Sequence, residues 1–599
     1  MAKQLLMGNQ AIALGAIRAG VKVVTGYPGT PSTEVLETVA EENNGNVYVE
    51  WSVNEKSALE VAAGAAYSGA RSMVTMKQVG LNVASDPLMS LAYIGVKAGM
   101  VILVADDPGP ISSQTEQDTR HFAFYSKLPV FDPSTPEEAY TMIGDAFDYS
   151  EKYQTPVLFR PTTRLCHGCA AIETDSTVAD KPVEGFIKDT SKWVIFPKTT
   201  YRNHIKIEER NPKIGEDFSS YKGNSLTGDG KKGIATGGVC YQYVKEALSM
   251  LSADGDCKLL KLATVHPFPE TLALSFFDGL EEVLVVEELD PVIEKQLIFL
   301  CGKHGIKLTI HGKLDRFAPT AGESSVELCL SMLSKFLGKT APALAARTAP
   351  PPLPVRPPVL CAGCPHRASF YTVKRAMKGR KAVFSGDIGC YTLGNAMPLD
   401  MVDTCLCMGA GITVAQGIHR AEPDTVNFAF VGDSTFFHTG IPGILNAVYN
   451  QTKIVVMVLD NSTTAMTGHQ PHPGTGMTMM GEIAQKISIP DMLRAMGVTS
   501  VEVVDPLDLK ETEAAVRRAA ECEAVSAVIC KSPCIAVTKP KPSYTVDAEK
   551  CTNCKVCIKQ LGCPAIVKGE GKAEIDRSLC YGCGICEGIC PFGAIGGEK

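Results

Sequence analysis

The sequence predicts an α/β chain: several doubly wound parallel-sheet domains, then a small α+β domain at the C-terminal end. Three observations predict it. Short apolar runs alternate with helical stretches and Gly-rich turns through most of the 599 residues. Apolar residues make up 45% and charged residues 21%, the balance of a chain that buries a core. Eight of the 22 cysteines crowd into residues 551–599. The formal net charge of −7 provides no basic excess for nucleic acid. No apolar run approaches the ~20 residues that cross a bilayer. The start, MAKQLLMGNQ, has no long apolar signal core, so a cytoplasmic protein without a membrane or nucleic-acid partner is expected. In that compartment disulfides do not account for 22 cysteines.

In chain order, residues 1–175 form a first α/β module, with VKVV (21–24), SMVTM (72–76) and MVILVA (100–105) as strands. Residues 176–338 form a second module. Its lead-in, 176–231, reads as polar and irregular; an ATGG turn and the runs LLKLATVHPFP and EEVLVVEE follow. Residues 339–358, KTAPALAARTAPPPLPVRPP, read as an extended linker. Residues 359–540 form a third α/β module, with VNFAFV (426–431) and IVVMVL (454–459) as strands, and 541–599 form the cysteine-rich tail. Open parallel sheets bind ligands beyond the carboxyl ends of their strands.

The tail contains CTNCKVCIKQLGCP from Cys551 and CYGCGICEGICP from Cys580. The second run has the C-x2-C-x2-C-x3-C-P spacing of a two-cluster ferredoxin, in which the fourth cysteine ligates the other cluster. On that rule Cys551, Cys554, Cys557 and Cys590 hold one [4Fe–4S] cluster, and Cys580, Cys583, Cys586 and Cys563 hold a second. Five residues rather than three separate Cys557 from Cys563, which departs from the pattern. A zinc module is the competing reading of paired C-x2-C runs.

Asp433 and Asn461 follow two strands of one strand–helix–strand unit. A hard divalent cation takes oxygen ligands from such positions, completed by phosphate oxygens. The stretch GDS…DN resembles the thiamine-diphosphate motif, with two positions off its consensus. Asp433, Asn461 and the carbonyl of Thr463 would ligate Mg2+, beside Gly432 and Ser434; ordinary loop caps are the alternative. Glu55 opens a small-residue helix after YVEWSVN, where a glutamate also serves simply as a helix-dipole partner.

Together, GYPGTPSTE (26–34), NEKSALEVAAGAAYSGAR (54–71), GDSTFFHTG (432–440) and LDNSTTAMTG (459–468) resemble the 2-oxoacid:ferredoxin oxidoreductase superfamily. With CAGCPHR (361–367) and the dicluster tail, the chain looks like the thiamine-binding alpha subunits of its indolepyruvate branch. The resemblance implies thiamine-enzyme-type sheets, thiamine diphosphate and Mg2+. It implies oxidative decarboxylation of an arylpyruvate to an arylacetyl-CoA, with coenzyme A taking the acyl group and ferredoxin the electrons. It places Glu55 as the partner of the cofactor's aminopyrimidine and Thr30 against the substrate. It also implies a third, proximal [4Fe–4S] cluster on Cys361, Cys364, Cys390 and Cys534, against the alternative that these are buried thiols. His438 is the best-placed histidine for proton transfer. Cys405 and Cys407 read as core. The basic residue that small-oxoacid members carry is not evident in 106–114. No stretch remains for a gamma-type domain, so a smaller beta partner subunit in an α2β2 assembly is expected. The rivals are a non-oxidative 2-oxoacid decarboxylase, an oxidoreductase for another 2-oxoacid, and an electron carrier with a relic thiamine fold.

Overall fold

The computed structural model describes residues 2–342 and 351–597, which fall into two compact units. Part of the expected linker, residues 343–350, lies outside the described residues.

In the N-terminal unit a six-stranded parallel sheet runs in the order Tyr48–Trp51, Val23–Gly26, Ser72–Lys77, Met100–Ala105, Val157–Phe159, Val130–Phe131. The central strand MVILVA is buried at every position, as a strand covered by helices on both faces requires. Three expected strands are thus present, with VKVV shifted two residues along the chain to Val23–Gly26. A second sheet, Thr309–His311, Glu282–Val286, Lys232–Gly237, Lys258–Leu262, is also parallel and gains an antiparallel edge, Ser225–Thr227. One apolar cluster, including Ile102, Val104, Leu260 and Val285, joins the two sheets.

The reading of 176–231 as irregular is corrected here. A 23-residue helix, Pro197–Ser219, fills much of it, with proline at its first position, where no backbone N–H is needed. Its buried residues Ile207, Ile214 and Phe218 recur seven and four apart on one face. Heavy charge and Pro212 in the helix interior hide that stripe in the sequence.

The C-terminal unit holds a five-stranded parallel sheet, Ala382–Ser385, Val426–Gly432, Val455–Asp460, Ser526–Lys531, Ser500–Val504. The tail forms two antiparallel pairs, Tyr544–Val546 with Ile595–Gly597 and Ile566–Lys568 with Ala573–Ile575, and two short helices, Val556–Leu561 and Ile585–Ile589. It shares a core with the sheet: Phe370, Phe430 and Val528 pack in one cluster with Cys557, Ile585 and Ile595. No described helix is long and apolar enough to cross a membrane.

Candidate active site and cysteine centres

In the N-terminal unit the side chain of Asn54 accepts the Ser57 N–H at 2.8 Å and so starts the helix Glu55–Tyr67. Glu55 is buried, and its carboxylate occupies the space left by Gly80: a Cβ there would stand 2.7 Å from Oε1. The turn holding Thr30 lies on the same carboxyl edge, after Val23–Gly26. The Gly29 N–H donates to Thr33 Oγ1 at 3.0 Å, and Ser32 Oγ donates to the Gly29 carbonyl at 3.0 Å. Ser112 Oγ donates to the Thr30 carbonyl at 3.3 Å, which brings the 106–114 segment to this turn.

No basic residue stands in 106–114, but one stands at a strand end on this edge. Lys77 closes Ser72–Lys77, and a Cβ on Gly29 would meet its Cγ at 3.2 Å. Burial holds its ammonium below the usual lysine range, against the pull of the Glu55 and Asp107 carboxylates. Burial also works on Asp107, but the Thr163 hydroxyl and the Ser112 and Ser113 N–H groups keep it below the usual carboxylate range. The sequence signal was a lone lysine ending an apolar run, SMVTMK.

Beside this edge, two buried guanidiniums bind carboxylates. Arg120 donates to Asp118 at 2.6 Å and Glu287 at 2.8 Å, and Arg160 to Asp106 at 2.7 Å and Asp132 at 3.2 Å. Burial raises Asp106 to about 6 and Glu288 to about 7.

In the C-terminal unit Asp433 and Asn461 stand at the ends of adjacent parallel strands. Asp433 Oδ1 accepts the Ser434 N–H at 2.8 Å and Oδ2 the Ser462 N–H at 2.7 Å. Asn461 Nδ2 lies 3.3 Å from His366 Nε2, its Oδ1 takes the Thr463 N–H at 3.3 Å, and Ser434 Oγ accepts from Thr464 at 3.0 Å. Gly432 lies against Tyr391, whose ring a Cβ would meet at 2.5 Å. Tyr391 shares a 2.9 Å hydrogen bond with Thr435, and its hydroxyl also lies 3.1 Å from Asp387 Oδ2. Burial raises Asp387 to about 6 and lowers His366 to about 4, so His366 is neutral near pH 7. His438 is buried on the wide turn Phe436–Gly440, with Nδ1 3.3 Å from Thr439 Oγ1, and its charge bears on Asp387. The buried Asp433 and Asn461 oxygens suit a hard cation. His472 Nε2, buried and without a hydrogen-bond partner, lies 3.2 Å from Asp433 Oδ2 and suits an anionic diphosphate. The residues therefore fit a diphosphate cofactor with its cation.

The cysteines gather as three sets. Cys563, Cys580, Cys583 and Cys586 line one cavity, and Cys551, Cys554, Cys557 and Cys590 line another. The longer Cys557–Cys563 spacing is absorbed by the helix Val556–Leu561 and a left-handed Gly562. Cys361 and Cys390 bear electrostatically on Cys364, and Cys534 and Cys361 on Cys390; burial pushes Cys364 up to about 12 and Cys390 to about 11. Only Cys364 of the four is buried and Cys361 is exposed; thiols grouped in this way fit a cluster, since coordination to iron deprotonates them outright. Among the described residues no three His, Cys, Asp or Glu side chains converge as a single-ion site. A cubane gives each iron one thiolate, so its cysteines surround a cavity and need not meet at one point. Cys405 and Cys407, read as core, are exposed: the segment before the helix Ala410–Ala421 is a surface loop, with Leu406 exposed between them.

Known proteins agree with this geometry. The family model for the pyruvate flavodoxin/ferredoxin oxidoreductase thiamine-diphosphate-binding domain matches residues 14–189. The C-terminal thiamine-pyrophosphate-binding model matches 387–530, and the 4Fe–4S binding domain matches 573–596. Parallel thiamine-type sheets with an iron–sulfur tail define the class: a thiamine-dependent oxidoreductase of the 2-oxoacid:ferredoxin superfamily. The chain is 44% identical to indolepyruvate oxidoreductase subunit IorA of Methanothermobacter thermautotrophicus, over 99% of this chain and 97% of that protein. It is 41% identical to the Pyrococcus horikoshii protein of that name, over 99% and 96%, and 40% to that of Archaeoglobus fulgidus, over 99% and 97%. It belongs to this family of indolepyruvate oxidoreductase subunits.

Proposed function

We propose that the chain oxidatively decarboxylates arylpyruvates, indolepyruvate among them, to arylacetyl-CoA and carbon dioxide, and passes the electrons to ferredoxin. One observation carries the oxidative reading. The Cys534 N–H donates to the Asn461 carbonyl at 2.9 Å, so the cofactor-edge loop runs directly into the first cysteine set. Ala362 and Gly363, between Cys361 and Cys364, line the cavity of the next set. A non-oxidative decarboxylase has no use for that continuity.

Thiamine diphosphate, when bound, supplies the electron sink for decarboxylation. Glu55 would hydrogen-bond its aminopyrimidine, and Asp433, Asn461 and the Thr463 carbonyl would hold Mg2+, flanked by Gly432 and Ser434. Thr30 would contact the substrate, Lys77 would take its carboxylate, and His438 would move a proton. Cys361, Cys364, Cys390 and Cys534 would ligate a proximal [4Fe–4S] cluster, with one more in each tail cavity. The active assembly would be α2β2, with a smaller beta subunit and Glu55 of one copy serving Asp433 of the other.

The test is ferredoxin reduction by anaerobically purified complex given indolepyruvate and coenzyme A. Reduction with acyl-CoA formation is expected; aldehyde without reduction would make the chain a decarboxylase. Glu55→Gln should lower kcat by about 10²-fold or more. Lys77→Met should raise KM for the 2-oxoacid about tenfold or more. About twelve irons per chain would match three clusters, and about eight would leave the proximal set as thiols.

A further inference from the structure

Arg367 closes the CAGCPHR segment and is 3% exposed. Its terminal nitrogens donate to backbone carbonyls: Nη1 to Leu561 at 2.6 Å and Gly562 at 2.9 Å, Nη2 to Leu360 at 2.5 Å and, at the limit, to Cys361 at 3.5 Å. These bonds tie the loop before the first cysteine set to the turn before Cys563. Nε is buried and has no hydrogen-bond partner. Arg367 lines the cavity of Cys563, Cys580, Cys583 and Cys586; burial holds it below the usual arginine range, against the pull that the thiolates of Cys563, Cys364, Cys583 and Cys361 exert when ionised. Two of these belong to the proximal set and two to the next.

A buried cation bonded only to neutral carbonyls is costly without a nearby anion. A thiolate-ligated cluster is that anion, and an N–H donor aimed at its sulfurs stabilises the reduced, more negative state. The position is fixed from both sides. Gly363, at φ +83°, packs on Tyr581 so closely that a Cβ would stand 2.5 Å from the tyrosine Cβ. The Tyr581 hydroxyl sits between the Ile535 and Thr538 carbonyls, one residue beyond Cys534 and further along the same loop.

We propose that Arg367 is a positioning residue of the electron path. Its Nε–H hydrogen-bonds the cluster held by Cys563, Cys580, Cys583 and Cys586, and its charge raises the potentials of that cluster and of the proximal one together. This rests on the cluster assignment proposed above. The set of Cys551, Cys554, Cys557 and Cys590 lines a cavity that Arg367 does not reach, and it serves as the internal reference.

The experiment is an EPR-monitored reductive titration of the anaerobic holoenzyme, wild type against Arg367→Lys and Arg367→Gln, with iron content measured on each. In Arg367→Gln both inner clusters should become harder to reduce, by about tenfold in the reduction equilibrium, ~59 mV for one electron. Arg367→Lys keeps the charge and loses Nε–H, so only the Cys563-set cluster should shift, and by less. The outer cluster should not move in either. Full iron with all midpoints unchanged in the lysine variant overturns the proposal while the functional reading stands. A wild type lacking cluster signals overturns both. Should the glutamine variant fail to load iron, the lysine variant decides alone.

Discussion

Both units bury arginine, but they surround it differently. In the N-terminal unit Arg120 and Arg160 are met by Asp118, Glu287, Asp106 and Asp132. In the C-terminal unit Arg367 is met by backbone carbonyls and thiols. A guanidinium whose charge is balanced by carboxylates of the chain needs no ligand for that balance, even where a nitrogen such as Arg160 Nη2 is left without a hydrogen bond; one left with neutral partners depends on an anion from outside the chain. Burial alone does not separate structural charge from functional charge. What neutralises the charge does.

The strongest way to break this contrast is Arg120→Met, which leaves buried carboxylates unpaired. It should destabilise the N-terminal unit by about 3–5 kcal/mol in denaturant unfolding, without changing iron content. An unchanged midpoint would mean that the ionic network does not hold the fold. Removing iron with a chelator should act on the other unit. Its unfolding temperature should fall by about 5 °C or more, while the N-terminal transition stays put, read by calorimetry on the two forms.

The smallest effect is a pH dependence. Glu288 and Asp106 have folded pKa values raised to about 7 and about 6, so the folded N-terminal unit binds protons that the unfolded chain has released. Their contribution is full below the ordinary carboxylate range and is lost as pH rises through those values. Buried His266, lowered to about 4, works in the opposite direction, but only below its ordinary range near pH 6.5. Between pH 6.5 and 8 His167, raised by its hydrogen bond to Glu34, acts in the same direction as the carboxyls, and stability should fall by about 1 kcal/mol or more. A rise would place the titration elsewhere.

Much of this was legible in the sequence because it is local. The strand MVILVA is apolar throughout, and the C-x2-C-x2-C spacing fixes its ligand loops within a few residues. Asp433 and Asn461 could be found because strand ends are. The groups that escaped are those whose meaning lies in distant partners. Lys77 is an ordinary lysine until Gly29, Glu55 and Asp107 surround it. Arg367 lies within a motif quoted for its cysteines, and its partners Leu561 and Gly562 are more than 190 residues away. The helix Pro197–Ser219 escaped because three buried positions in a charged stretch give little periodic signal. Cys405 and Cys407 misled because cysteine is so often buried; here they lie on a surface loop.

The tail shares its apolar core with the cofactor-edge sheet, through Phe370, Phe430 and Val528 on one side and Cys557, Ile585 and Ile595 on the other. With clusters bound as proposed, it would be a fixed conductor and not a tethered shuttle. Hops between the inner cysteine sets would then span a distance set by side-chain packing, independent of protein concentration and indifferent to ionic strength. Only the last hop, out of the set that includes exposed Cys554, would wait on an encounter in solution, and salt and acceptor concentration would act on the flow of electrons only there.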